Sequence, residues 1–102
     1  MTSVAIDIEA LKSSAEKACK LMKVLSNPDR LLLLCQISEG EKCVTELEET
    51  LNIHQPTLSQ QLTILREEGL VSTRREGKYI YYSIANTTTL EVMQVLYQNY
   101  CR

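Results

Sequence analysis

Apolar residues recur at alternating intervals of three and four along the amino-terminal part of the chain. This spacing places one narrow apolar stripe along a helix. A stripe of this kind packs either within one subunit or against the matching helix of a dimer, and the pattern alone leaves both interpretations open. The stripe consists of Ile8, Leu11, Ala15, Ala18, Met22 and Leu25.

A second helix is predicted to begin at Asn27-Pro28-Asp29. Asn is a favoured N-cap, Pro fits the first helical position, and an acidic side chain suits the positive end of a helix. The residues that follow, RLLLLCQI, are apolar almost all round, so this helix is expected to be central and buried and to end near Gly40. A short third helix is predicted at about Val44–Leu51.

A fourth helix is predicted where Leu58, Leu62 and Leu65 recur at helical spacing and form an inward face. Its other side is polar but uncharged. Amide and hydroxyl side chains can hydrogen-bond to base edges in the major groove of DNA, and Gln pairs well with adenine. Two helices joined by a short turn, the second with such a face, predict a helix-turn-helix. The predicted DNA-binding residues of this segment are Gln55, Thr57, Ser59, Gln60 and Thr63.

A β-hairpin is predicted next, because the alternating segments LVSTRR and KYIYYSI flank Glu76-Gly77. A hairpin directly after a DNA-reading helix is a wing, and its basic residues Arg74, Arg75 and Lys78 are predicted to contact backbone phosphates. A last helix is predicted from about residue 88 to Tyr100. The predicted fold is mainly α with a small β-hairpin, a winged helix-turn-helix in a single domain over residues 1–102.

The composition limits the classes of function. A net charge of −2 argues mildly against nucleic-acid binding, although the wing is locally basic. No apolar run approaches the roughly 20 residues that span a bilayer, and no signal-peptide pattern is present, so we expect a cytoplasmic protein without a membrane partner. A thiol enzyme would need a cation or His beside its cysteine, which the sequence around Cys35 lacks. A pure dimerisation module would leave the polar helix face unexplained.

The order of elements and four motifs resemble the ArsR family of winged-helix repressors over nearly the whole chain. The motifs are LSNPDRLLLL, TELEETLNI, QPTLSQQLTILREEGLV and RREGKYIYYSI. The resemblance implies a homodimer, joined by its first and last helices, that binds palindromic double-stranded operator DNA and releases it on sensing an inducer. The dimer-interface residues that it implies are Ile8, Leu11, Ala15, Ala18, Met22, Met93, Leu96 and Tyr97.

The metal ligands of ArsR-family sensors are absent from the corresponding positions. The segment KCVTEL carries Cys43 but has Thr45 where arsenic and cadmium sensors have a second cysteine. The last helix contains neither the His nor the Asp that zinc and nickel sensors use. A metal site needs three or four suitable ligands, so no metal or other cofactor is expected.

Two of the four cysteines match a subgroup of the family. Cys35 in LLLLC and Cys101 in YQNYC are similar to the cysteine pair of persulfide-responsive repressors of the BigR and SqrR type, to which the regulator HlyU is related. This resemblance implies a sensing dithiol, a persulfide or polysulfide as inducer, and sulfide-detoxification genes as targets. A general thiol-redox repressor, or an arsenic-responsive one that uses Cys43, is the alternative.

Overall fold

The computed structural model describes residues 7–101. Its elements follow in the order α1 (Ile8–Leu25), α2 (Pro28–Ser38), β1 (Lys42–Cys43), α3 (Val44–Leu51), α4 (Thr57–Glu67), β2 (Val71–Glu76), β3 (Tyr79–Ile84) and α5 (Thr87–Tyr100). The predicted winged helix-turn-helix, with a hairpin between the fourth and last helices, is confirmed.

The helix boundaries follow from local chemistry. The Asn27 side chain accepts a hydrogen bond of 3.0 Å from the Arg30 N–H and so caps α2, and Pro28 occupies the first helical position. At the end of α3, Asn52 adopts a left-handed conformation with φ 56°, which turns the chain toward α4. The predicted start of α2 and the bounds of α3 are therefore confirmed.

The second helix lies at the centre of the fold and packs against α1, α3, α4, α5 and β3. Its Leu33, Leu34 and Ile37 are buried together with the inward leucines of α3 and α4. The prediction that α2 is central and buried is confirmed for these side chains, whereas Leu32 lies on the surface. An exposed leucine on the central helix leaves apolar area for a second molecule.

The wing is part of a three-stranded antiparallel sheet with the order β1-β3-β2. The turn between β2 and β3 contains Gly77, whose φ of 62° favours glycine. Strand β1 pairs Lys42 with Tyr82 and Cys43 with Tyr81, and it was not predicted. Two residues are too few to carry the alternation by which a strand is recognised in sequence.

The larger, amino-terminal part of α1 lies outside the core. Every residue from Ile8 to Lys20 is exposed, and Leu11 is 50 % exposed. On α5, Val95, Tyr97 and Tyr100 are also exposed. Both helices thus present apolar faces that no other part of residues 7–101 covers. Within the same residues, no helix is both long and apolar enough to cross a membrane.

Candidate DNA-binding surface and dithiol site

The outer face of α4 presents the predicted polar side chains. Ser59, Gln60 and Thr63 are all exposed, on the side opposite the buried leucines of the same helix. The Thr63 hydroxyl donates to the Ser59 carbonyl at 2.8 Å, so its proton is engaged while its lone pairs remain able to accept a hydrogen bond. This face can therefore offer both amide and hydroxyl groups to base edges.

Two of the predicted DNA-binding residues, Gln55 and Thr57, lie at the start of α4 and make contacts within the protein. The Gln55 Oε1 accepts the Ser59 N–H at 3.0 Å and caps the helix, and Thr57 is half-buried rather than exposed. No acidic side chain lies in the first turn of α4, so the partial positive charge at the start of α4 is not offset there. Gln55 thus helps to shape the start of the helix, and the DNA contacts of Gln55 and Thr57 stay predictions.

Arg74 in the wing is held by two carboxylates. Its Nε and Nη2 donate to Glu41 and its Nη1 donates to Glu76, each at 2.7 Å, and its guanidinium carbon lies 4.7 Å from the centre of the Tyr81 ring. The two hydrogen bonds to Glu41, and then the one to Glu76, raise the pKa of Arg74 above its ordinary value. The charge of Arg74 is therefore balanced within the chain, and its contact with phosphate stays a prediction.

The other two basic residues of the wing have no acidic partner among residues 7–101. The Arg75 Nε donates to the Gly77 carbonyl at 3.1 Å, which orients the guanidinium at the tip of the hairpin. The Lys78 Nζ lies 5.5 Å from the centre of the Tyr79 ring. Both side chains are exposed and keep their charge available for an anion.

The fold brings Cys35 and Cys101 close together although they lie far apart in sequence. Cys35 is half-buried on α2, and Cys101 follows α5, where its N–H donates to the Tyr97 carbonyl at 2.9 Å. Burial raises the pKa of the Cys35 thiol, and the negative charges of Cys101 and Glu39 raise it further. Cys101 is among the groups that act on the Cys35 thiol, and α2 packs against α5, so the two side chains are neighbours in the fold.

The remaining cysteines lie in different settings. Cys43 is buried at the start of α3, where its N–H donates to Glu46 Oε1 at 3.0 Å, and Cys19 is exposed on α1. Within residues 7–101, no three His, Cys, Asp or Glu side chains converge as metal ligands would. His54 is exposed just before α4, with its Nδ1 3.6 Å from Glu48 Oε2.

The structure places most of the predicted dimer residues on the surface of the subunit. Ile8, Leu11, Ala15, Ala18, Met22 and Tyr97 are exposed, and Leu96 is half-buried against the core.

Met93 is a correction, since it is only 1 % exposed and fills the core of its own subunit. Leu32, Val95 and Tyr100 are further exposed apolar side chains that were not predicted to lie on this surface, and Tyr100 is 82 % exposed. α2 and α5 carry more apolar residues than one small core can bury. This excess is the sequence signal from which such exposed apolar residues can be predicted.

Comparison with known proteins places the chain in a family. Residues 27–73 match the family described as bacterial regulatory protein, arsR family. The chain is 45% identical over 96 residues to the biofilm growth-associated repressor of Agrobacterium fabrum, and the match covers 94% of this chain and 82% of that repressor.

Two solved structures resemble the whole fold. The transcriptional repressor BigR from Xylella fastidiosa superposes with a TM-score of 0.85 at 43% identity, over 93% of this chain and 94% of BigR. Reduced HlyU from Vibrio cholerae superposes with a TM-score of 0.88 at 34% identity, over 92% and 99% of the two chains. The chain therefore belongs to the ArsR family of winged-helix transcriptional regulators, which are not enzymes, and within that family to the group that contains BigR and HlyU.

Proposed function

We propose that this regulator is a homodimeric repressor that binds palindromic operator DNA as a dithiol and releases it when a persulfide or polysulfide links Cys35 to Cys101. The proximity of Cys35 to Cys101 is the observation that carries the proposal. Cys101 is exposed and Cys35 is half-buried, so a persulfide donor reaches Cys101 first and Cys35 second.

DNA binding in this proposal divides between α4 and the wing. Ser59, Gln60 and Thr63 contact base edges, while Arg75 and Lys78 neutralise phosphates. The phosphate contacts of the wing do not depend on the base sequence of the DNA. The acidic residues of the chain lie mostly elsewhere, with Glu46, Glu48 and Glu49 all on α3.

Dimer formation in this proposal uses the exposed apolar faces of α1 and α5. Leu11 and Met22 on α1, together with Val95 and Tyr97 on α5, are large apolar side chains on the surface of one subunit. A second copy that covers them removes this area from water, which stabilises the dimer. Two α4 helices related by a two-fold axis then meet successive major grooves about 34–36 Å apart.

The sulfur chemistry balances with a persulfide donor, RSSH, as the only oxidant. The Cys101 thiolate attacks the outer sulfur of RSSH, the S–S bond of the donor breaks, and RSH leaves. A second RSSH converts Cys35 in the same way. The Cys101 persulfide anion then attacks the sulfur bonded to the Cys35 β-carbon, which forms a trisulfide and expels hydrosulfide. Two donors and two thiols thus yield one trisulfide, two RSH and one hydrogen sulfide by thiol exchange.

The bridge would act on DNA binding through α5. Cys35 belongs to the central helix, and Cys101 ends a helix whose outer face contributes to the proposed dimer contact. A covalent link fixes the end of α5 against α2 and changes how that outer face meets the partner. A small rotation between subunits moves the two α4 helices out of register with the grooves. The structure of the relative HlyU is that of its reduced form, which is the state proposed here to bind DNA.

The proposal is tested with the promoter fragment of the protein's own gene, by fluorescence anisotropy before and after treatment with glutathione persulfide. Wild-type protein should release the fragment, and intact mass should rise by one sulfur atom less two hydrogen atoms. Cys35→Ser and Cys101→Ser should bind like the untreated wild type and stay bound. Cys19→Ser and Cys43→Ser are matched controls that should still release.

Three results would contradict the proposal. The first is release by Cys101→Ser after persulfide treatment, and the second is a mass change without loss of both thiols. The third is loss of the response only in Cys43→Ser, which would move the sensing site to the start of α3 and favour the arsenic-type alternative.

A further inference from the structure

The guanidinium of Arg30 connects three helices. Its Nε donates to the Val24 carbonyl at 2.6 Å and its Nη2 to the Lys23 carbonyl at 3.4 Å, both in the last turn of α1. Its Nη1 donates to the Gln61 side-chain oxygen at 2.9 Å, in the middle of α4. Arg30 itself belongs to the first turn of α2, where its N–H is fixed by the Asn27 cap.

This arrangement brings a donor to the Val24 carbonyl at the end of α1, whereas the Lys23 carbonyl also accepts hydrogen bonds from the Ser26 N–H and hydroxyl. The last carbonyls of a helix have no donor within the helix and carry a partial negative charge, so a cation placed there is favourable. Arg30 caps α1 in this way through its Nε, and its Nη1 remains available to donate to the Gln61 side-chain oxygen. Both side chains are half-buried, where such hydrogen bonds are less screened than at the surface.

The connected helices have different tasks in the proposed function. α1 carries the exposed apolar face of the dimer, and α4 carries the exposed polar face for DNA. Gln61 lies directly beside Gln60 but on the inner side of α4. The hydrogen bond from Arg30 therefore acts on the helix that contacts DNA without using the face that contacts it.

We infer that Arg30 is a positioning residue for operator recognition, because through Gln61 it sets the angle of α4 relative to α1. This inference rests on the proposed homodimer. In a dimer joined through α1, that angle determines the separation and orientation of the two α4 helices. The Arg30–Gln61 contact thereby determines which spacing of half-sites is bound, while Gln60 and its neighbours determine which bases are bound.

Arginine is suited to this role because its planar guanidinium presents several N–H groups in fixed directions. A lysine at this position carries the same charge but offers a single ammonium group. It cannot hold two α1 carbonyls and the Gln61 oxygen in one rigid geometry. Replacement of Arg30 by Lys therefore keeps the charge and loses the fixed angle.

A second polar link between the same regions serves as the matched control. The Lys20 Nζ lies 3.9 Å from Glu68 Oε2, which joins α1 to the residue after α4. Lys20 is well exposed, with 74% of its side chain open to solvent, so this pair contributes little rigidity. Lys20→Gln removes this link and leaves Arg30 in place.

The test uses a palindromic duplex selected by the wild-type protein from a randomised library, and two versions with one base pair added or removed at its centre. The measured quantity is the ratio of the dissociation constants for the altered and the selected spacing. Wild-type protein should favour its own spacing by about tenfold or more, because an altered spacing rotates one half-site away from its α4 helix.

Gln61→Leu and Arg30→Lys should bring this ratio close to one, with the same preferred bases in each half-site. Loss of one hydrogen bond from a charged group changes the equilibrium constant between the two helix arrangements by about tenfold. Gln61→Glu keeps an acceptor for Arg30 and should retain the wild-type ratio, as should Lys20→Gln. Since Gln61→Leu leaves the α1 cap intact, it remains informative even if Arg30 variants fold poorly.

Three outcomes would overturn the inference. Unchanged spacing selectivity in Gln61→Leu would show that the contact does not set the angle. Equal loss of binding to every duplex in Arg30→Gln, with a smaller salt dependence, would show that Arg30 contacts phosphate instead. Absence of any spacing preference in the wild type would contradict the dimeric mode of binding itself, and with it this inference.

Discussion

Arg74 donates hydrogen bonds from Nε and Nη2 to the two carboxylate oxygens of Glu41, each at 2.7 Å, and so joins strand β2 to the residue that precedes β1. The contact lies on the surface and holds the wing beside the entrance to α3. It separates the basic residues of the wing into one that is paired within the chain and two that are not. The functional consequences for Arg74, Arg75 and Lys78 should differ accordingly.

We expect Arg75→Ala and Lys78→Ala each to weaken binding to specific and scrambled DNA alike. Removal of each phosphate interaction should reduce the slope of log K against log salt concentration by about one. Arg74→Ala should leave this slope unchanged, since Glu41 and Glu76 already balance its charge. Anisotropy titrations between low and moderate salt provide the measurement, and a reduced slope for Arg74→Ala would show that Arg74 contacts phosphate.

Gln60→Ala should relax the choice of one base pair in each half-site, at a cost of about 1–3 kcal/mol at that position. Gln60 is exposed on α4, whereas Gln55 and Gln61 are engaged within the protein. Binding to a set of operators with single-base changes measures this effect. Gln60→Ala and Arg75→Ala should have different signatures, and identical effects on specific and scrambled DNA would refute the division between helix and wing.

Leu11→Glu or Ala18→Glu should dissociate the dimer. Both residues lie on the exposed apolar stripe of α1, and a two-fold axis brings the introduced carboxylate near its symmetry mate. Ser13→Glu, at a position that is also exposed but lies on the opposite side of the same helix, is the control and should remain dimeric. Sedimentation velocity distinguishes the two states, and a dimer that persists in Leu11→Glu would exclude this face as the interface.

The Cys35 thiol should titrate at a higher pH than an ordinary cysteine, because burial and the charges of Cys101 and Glu39 raise its pKa. Since the thiolate is the reactive form, alkylation of Cys35 should continue to accelerate at pH values where ordinary thiols are already ionised. In Cys101→Ser one of these charges is absent, so the curve of Cys35 alkylation rate against pH should shift to lower pH. Burial should still keep the pKa of Cys35 above its ordinary value.

Alkylation with iodoacetamide, followed peptide by peptide with mass spectrometry, measures this profile. Cys19→Ser, which alters an exposed residue on α1, should leave it unchanged. A profile that does not respond to Cys101→Ser would mean that the two thiols do not interact, and the proposed bridge would lose its basis.

The sequence by itself determined the helices and the fold class, because the decisive interactions are local. Asn27 and Pro28 specify the start of α2, and the Asn27 side chain does so by accepting a hydrogen bond from the N–H of Arg30, only three residues later. The leucines of α4 lie within one short helix, so their shared face is visible as a period. The glycine of the wing turn is equally local, since its positive φ depends on its own backbone.

Only the tertiary structure decided which of the predicted functional side chains are free to contact DNA, a partner subunit or an inducer. Arg74 is bound by Glu41 from a distant part of the chain, and Met93 is buried in the core rather than on the dimer face. The same holds for the proximity of Cys35 to Cys101, which the sequence indicated through family resemblance alone. Periodicity shows which face of a helix is apolar, but partners across the fold depend on how helices pack, and that information is spread over the whole core.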